Sequence, residues 1–496
     1  MSLLPVPLNV RAEHQAVLEL PTDKPRATLP VPNPTQSFWL RDPGVQPAPA
    51  HGSTGELTSE ADVCIIGSGI TGVSAAYHLA KAVARAGEQG TSLSVVVLEA
   101  RDFCSGATGR NGGHLTAHAY SDFRALKARY GTDEALRAIE IERYTVNEVY
   151  RILTEENKVE HVDFVPGGRV VLFFTAQEHQ EARLDYEAAV AAGVDMQGVE
   201  WFTKEEVQKR YGASYPAVLI PGNNLWPLKL VSVLYNLAQN ASDRFSLSLH
   251  THTPVTVVSP LRTTSARRWQ LATPRGPVAC SYVLHATNGY AAHLLPWLHG
   301  PNGIVPTRGQ VMATRASETF ALGRTGFVGN QGFEYWFPRP NHTVSTTGDK
   351  GQLVILGGGR EATRGRGYEF HTVDDATINS EINTVLRRFL PAVFPDKFKV
   401  STEPEMEWTG IMGYTKTKDP FVGPLIDPSD PGSEVQYQGQ YISAGYTGHG
   451  MPRGFACAEA VAGMIYADVS GKTWTEPKWL PLHYLTHQNV TKDNVL

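Results

Sequence analysis

Gly67-Ser68-Gly69-Ile70-Thr71-Gly72 stands directly between a short apolar run, Asp62 to Ile66, and a segment of helical periodicity, Ile70 to Arg85. Strand, GxGxxG turn and helix in that order predict a dinucleotide cradle at the head of a parallel α/β layer. The first glycine makes the tight turn, the second lets a pyrophosphate reach the backbone, and the third lets helix and strand pack closely. Free N–H groups and the positive helix end then face the phosphates. A second buried strand, Leu93 to Leu98, ends at Glu99, whose carboxylate is placed to accept hydrogen bonds from ribose hydroxyls. Glu99 lies 27 residues after Gly72, against a usual spacing of about 20. The polar stretch Gly87 to Ser92 accounts for the excess as a longer loop. A Glu99 that only terminates its strand is the plain alternative.

Directly after Glu99-Ala100-Arg101 comes Ser105-Gly106-Ala107-Thr108-Gly109-Arg110-Asn111-Gly112-Gly113-His114. So many glycines suit a chain pressed against a flat ligand, where side chains would collide. A third glycine turn, Gly445-Tyr446-Thr447-Gly448-His449-Gly450-Met451, joins the last strand to the last helix. A single-nucleotide domain has no need of it.

On these motifs the sequence resembles the D-amino-acid-oxidase-like superfamily of FAD-dependent oxidoreductases, nearest the branch of glycine, sarcosine and γ-glutamylputrescine oxidases. Val255 and the turn Thr287-Asn288-Gly289 match further landmarks, and the resemblance spans roughly Ala61 to Ala467. It implies FAD, with the 105–114 loop along the flavin and the last turn aiming a helix N-terminus at its pyrimidine edge, where the dipole stabilises negative charge. His114 and His449 are candidates to donate to flavin carbonyls, or else they stabilise their turns. One group of relatives links its flavin to a histidine in the loop after the ribose acid. Arg110 stands there in this chain, so noncovalent FAD is expected.

The fold expected is α/β, a doubly wound FAD-binding domain interlaced with an antiparallel-sheet α+β substrate domain. Residues 61–160, 216–296 and 404–470 are assigned to the first, 161–215 and 297–403 to the second, and 471–496 to a tail. Ten of the 33 prolines fall in the first 50 residues, which argues for an extended arm over 1–60 without regular structure. Within it, Phe38-Trp39 offer enough apolar area to dock; a floppy tail is the alternative. A strand from Val165 to Phe174 with Gly167-Gly168 at its start, and a helix from Val373 to Phe389, are expected further on.

Composition narrows the classes. Hydrophobic residues make up 42% and the formal charge is −5, so a large core forms and no basic face invites nucleic acid. No apolar run is long enough to span a membrane, and no signal peptide is read at the N-terminus. Four scattered cysteines favour a reducing compartment, and a cytoplasmic location is expected. None of the 17 histidines is read as having the HExxH or HxH spacing of a zinc site, so no metal is expected.

Family amino-acid oxidases hold the substrate carboxylate with an arginine shortly before an Asp-x-x-Pro-x-x-Gly signature. Met412 stands at that place here. A thioether cannot replace a bidentate guanidinium, so a small-molecule amine is the expected substrate. Arg308 or Arg360 could supply a remote anion anchor, with Arg360 expected to be structural. Tyr335, Trp336, Tyr414 and Tyr446, with Met412 and His449, are the pocket candidates; Tyr335 and Trp336 are strand neighbours, so at most one faces a ligand. Ordinary core aromatics are the alternative for each. The expected reaction is oxidation of a C–N bond by hydride transfer to flavin N5, followed by imine hydrolysis, with no obligate base. Oxygen or another acceptor would take up the electrons. An FAD-dependent oxidase of another bond, or a flavoprotein with a mainly binding role, remains open.

Overall fold

The computed structural model describes residues 4–41, 54–261, 267–317, 323–340, 351–430 and 432–488. Two eight-stranded sheets carry the molecule. In the first, five parallel strands run in the order Gln440–Ala444, Gly276–His285, Glu60–Ile66, Leu93–Leu98, Phe245–His250. Phe421–Pro424 closes one edge antiparallel, and Trp269–Thr273 and Val257–Pro260 branch from Gly276–His285. Both faces of its central strand are covered. Val63 and Ile65 pack beneath helices, while Cys64 and Ile66 pack against Trp269 and Leu271. This is why the strand reads as one unbroken apolar run rather than an alternation.

Ile70–Ala86 and Gly450–Ser470 are the long helices over that face. They approach closely because their contact is built of small residues. A Cβ at Gly454 would lie 3.1 Å from Thr71 Oγ1.

The second sheet runs Met406–Tyr414, Val305–Arg315, Leu353–Gly357, Glu334–Pro338, Gly326–Gly329, Arg169–Leu172, Ala217–Ile220, Glu200–Phe202. It is antiparallel except where Gly326–Gly329 meets Arg169–Leu172. Met406–Tyr414 and Ala217–Ile220 therefore sit in this sheet, whereas the sequence reading grouped both with the first. Helix Ser380–Val393 covers one face; its start is fixed by Asn379, whose side chain accepts from the N–H groups of Glu381 and Ile382. The expected helix from Val373 is corrected to this later start. Residues 373–379 instead run irregularly and carry Asp375 into the interior.

The N-terminal arm also departs from expectation. It contains a helix, Arg11–Leu18, and a short 3-10 turn, Phe38–Leu40. Phe38 and Trp39 are fully buried. Trp39 Nε1 donates to the Asn111 carbonyl at 2.6 Å and Ser37 Oγ to that of Gly109 at 2.7 Å, so the arm is fastened to the 105–114 loop. Trp226 Nε1 in turn donates to the Trp39 carbonyl. Proline density spoke against long helices but not against an eight-residue one whose stability comes from docking. The C-terminal segment docks as well: His483 stacks on Tyr130 with ring centroids 4.0 Å apart.

Candidate active site

A cavity of about 1320 Å³ runs from Glu99 and Val255, past the first glycine turn, to Tyr335, Met412 and Tyr414 on the second sheet. It exceeds the roughly 300–1,000 Å³ of drug-sized pockets, leaving room for a dinucleotide and a substrate. At one end, Glu99 Oε2 accepts from Ser68 N–H at 3.0 Å and from Ser68 Oγ at 2.7 Å, and Oε1 accepts from Arg101 N–H. Thr108 Oγ1 accepts from Ile70 N–H at 3.0 Å, which ties the second motif to the helix start. A Cβ at Gly72 would fall 2.0 Å from the Gly67 carbonyl, so only glycine lets this turn close.

The last glycine turn is anchored to its neighbours. Asn288 Oδ1 accepts from Gly445 N–H, and Thr447 Oγ1 accepts from Thr415 N–H. Gly67, Ser68, Gly69, Ile70, Thr71, Glu99, Ala100, Arg101, Ala107, Thr108, Arg110, Asn111, Gly112, His114, Val255, Thr287, Asn288, Thr447, Gly448, His449, Gly450 and Met451 all line the cavity. Gly72, Gly113, Gly289 and Gly445 stand behind its wall and serve packing. Several wall atoms are buried without a partner among the described residues: Thr287 Oγ1, Tyr290 Oη and both ring nitrogens of His114. Unpaired buried polar atoms are costly, and their clustering around this space fits a polar ligand with many acceptors and donors.

Arg101 grips Asp375 through two bonds of 2.9 and 3.1 Å, and Arg110 Nε lies 3.6 Å from the same carboxylate. Arg110 also donates to the carbonyls of Ser105, Thr35 and Thr409. Asp375 was not singled out from sequence; it lies 274 positions from Arg101 with no motif around it.

Toward the second sheet, Tyr335 faces the cavity, T-shaped against His114. A Cβ at Gly112 would collide with the Tyr335 ring, so the glycine at this position accommodates the aromatic. Trp336 points the other way and stacks on Phe327 in the core, 5.4 Å between centroids. Its candidacy for the pocket is thereby withdrawn. Met412 and Tyr414 face the cavity, and Tyr414 Oη accepts from Arg360 at 2.8 Å. Arg360 lines the space, while Arg308 lies outside it, paired with Glu369 and bonded to the Asp374 carbonyl. Tyr446 touches the cavity, but its hydroxyl is engaged with Thr71 and Ser443.

The N-terminal helix supplies a wall that sequence reasoning missed. His14 enters a box of Phe333, Tyr368, Phe370 and Tyr414 with centroids 4.9–5.8 Å away. Burial, then the Arg360 charge, lowers its pKa to about 3. Arg11 pairs with Asp122, which Lys418 also holds.

His449 is the N-cap residue of the last helix, and its ring lies tilted against that of His118 with centroids 4.0 Å apart. Burial first, then neighbouring positive groups, holds both imidazoles well below their usual range, so they are neutral. Among the described residues no cluster could hold a metal ion. His250 and His252 do have HxH spacing, contrary to the sequence reading, but they bond separately to Thr58 and Asp102.

A family model for FAD dependent oxidoreductases, the DAO family, matches residues 62–464. The chain belongs to the DAO family. Gamma-glutamylputrescine oxidoreductase of Escherichia coli (strain K12) is 28% identical over 232 residues, 46% of this chain and 49% of that protein. The match thus spans about half the length of that relative. A probable oxidoreductase, OrdL, of Rhizobium meliloti (strain 1021) is 25% identical over 425 residues, 83% of each chain. Among solved structures, glycine oxidase from Geobacillus kaustophilus superposes with a TM-score of 0.62 at 20% identity, covering 86% of this chain and 98% of its own. The DAO chain is accordingly an FAD-dependent oxidoreductase. The residues along the cavity fit that cofactor: a buried carboxylate at Glu99, glycine turns at 67–72 and 445–450, and unpaired polar atoms between them. No helix among the described residues is long and apolar enough to cross a membrane.

Proposed function

We propose that this DAO-family chain oxidises the C–N bond of a primary or secondary amine to an imine, which water hydrolyses. The observation that carries the reading is Met412. It faces the cavity on the strand Met406–Tyr414, with Tyr414 beyond it, and the Arg360 guanidinium, which also lines the cavity, is already bonded to the Tyr414 hydroxyl. FAD bound along the glycine turns supplies the two-electron acceptor, held without a covalent link. Arg110 stands in the loop where one group of relatives carries its linked histidine, and no cysteine lines the cavity among the described residues.

Tyr335, Met412 and Tyr414 present apolar surface that excludes water and favours the neutral amine over the ammonium. Burial and neighbouring positive charge keep the imidazoles of His118 and His449 unprotonated, so they add no cation to repel an ammonium at this end of the cavity. The Escherichia coli relative is named for γ-glutamylputrescine, an acylated diamine, which supports an amine on a long body. The four cysteines are free and buried, in keeping with a reducing, cytoplasmic setting.

Anaerobic bleaching of the flavin by a panel of amines tests the reading. Alkyl, aryl or acylated diamines should bleach it; glycine, sarcosine and D-alanine should do so poorly. Efficient turnover of D-alanine or sarcosine would show that an arginine does hold an α-carboxylate, with Arg360 the first to replace. Bleaching by an alcohol or a C–C donor alone would move the chemistry to another bond.

A further inference from the structure

Arg169 is a cation in the cavity that neither the fold nor the amine reading explains. It opens the strand Arg169–Leu172, and the two glycines before it make that entry possible. A Cβ at Gly167 would lie 1.8 Å from the Arg324 carbonyl, and Gly168 has φ +73°. Val170 and Leu172 enter the core beside Trp336, so alternation turns Arg169 and Val171 toward the cavity. Arg169 Nε is buried without a partner, and among the described residues no hydrogen bond or ion pair reaches the guanidinium.

The nearby anions are already engaged. Glu142 accepts from Arg453 Nε through one oxygen and from His118 N–H through the other, each at 2.7 Å. Asp122 is held by Arg11 and Lys418. The adjoining rings of His118 and His449 bring no negative charge. A guanidinium so enclosed is costly unless an anion meets it.

We infer that Arg169, in the cavity wall that also carries His118 and His449, is a carboxylate-binding site, and that the amine carries a carboxylate remote from its reacting carbon. The second clause rests on the amine reading; the first does not. Tyr335 lies opposite Val328, which lies opposite Val171, two positions from Arg169. Two strand spacings and two residues put the Cα atoms of Arg169 and Tyr335 roughly 12 Å apart. A carboxylate on Arg169 is therefore separated by several bonds from a carbon held at Tyr335.

The holoenzyme, Arg169→Met and Arg169→Lys are titrated anaerobically with straight-chain ω-amino acids, with alkylamines of matched length, and with hexanoate, which cannot be oxidised at a C–N bond. Flavin absorbance reads binding. The native enzyme should bind ω-amino acids about tenfold or more tightly than alkylamines. Arg169→Met should abolish that difference and the hexanoate response, and Arg169→Lys should keep a fraction of both, since it retains charge without the fork. If the Met variant does not fold, the Lys variant is judged by the same loss. Equal hexanoate affinity in native and variant enzyme, equal binding of the two series by native enzyme, or flavin lost from both variants would overturn the site. If no amine of either series bleaches the flavin, the amine reading fails, and hexanoate still decides the role of Arg169.

Discussion

Thr71 Oγ1 donates to Tyr446 Oη at 3.0 Å, bolting the first glycine turn to the last across 375 positions of sequence. Ser443 Oγ shares the same hydroxyl at 2.8 Å. Tyr446→Phe leaves two buried hydroxyls without their partner, a cost of about 1–3 kcal/mol. The melting temperature should fall and FAD should be held several-fold more weakly. Unchanged melting and unchanged flavin affinity would show that the turns are held by packing alone.

Glu99→Ala removes the acceptor of Ser68 N–H and the anion at the ribose end. Titration of apoprotein with FAD should reveal about tenfold weaker binding or more, from the roughly 1.5–3 kcal/mol of a charged hydrogen bond. Native-like affinity would reduce Glu99 to the end of a strand.

Asp375→Asn strips the carboxylate from between Arg101 and Arg110, leaving two buried guanidiniums without a counter-charge. Breaking a buried pair costs about 3–5 kcal/mol. Denaturant unfolding should record a loss of that order; a loss below about 1 kcal/mol would mean that water reaches the arginines.

His14, His78 and His114 are each held near a pKa of about 3, burial being the largest cause in every case. Their unfolded value is 6.5, so the native state binds fewer protons than the unfolded chain between the two. Stability from them is whole above 6.5 and drains as pH falls through that window. The melting temperature should drop from pH 7 to pH 5, and His14→Leu should flatten the slope. An identical slope in that variant would remove His14 from the account.

Trp39→Ala empties a fully buried site on which Trp226 and Phe337 lean. A loss of about 3–5 kcal/mol is expected. If unfolding were unaffected, the arm would not be seated as described.

The glycine turns were legible because their need is local: sterics at Gly72 involve Gly67, five residues away. The strand containing Cys64 was legible for a similar reason, since burial on both faces leaves an unbroken apolar run. Tyr335 and Trp336 were legible only as a pair, because alternation says that two neighbours diverge and not which one meets the ligand. Asp375 and Arg169 carry chemistry through partners hundreds of positions away or through the lack of one, and neither leaves a trace in spacing. The helix Arg11–Leu18 escaped because its reason to exist, the aromatic box around His14, is assembled from residues 333–414.

That box also fixes an order of events. Arg11 N–H donates to a side chain 320 positions later and Gln15 to a carbonyl 401 positions later. During synthesis the wall is therefore made long before its seat, and it can settle only after the ribosome has passed Lys418. Until then the cavity lacks its wall on that side, and closing the substrate end falls to a segment made well before the residues that seat it.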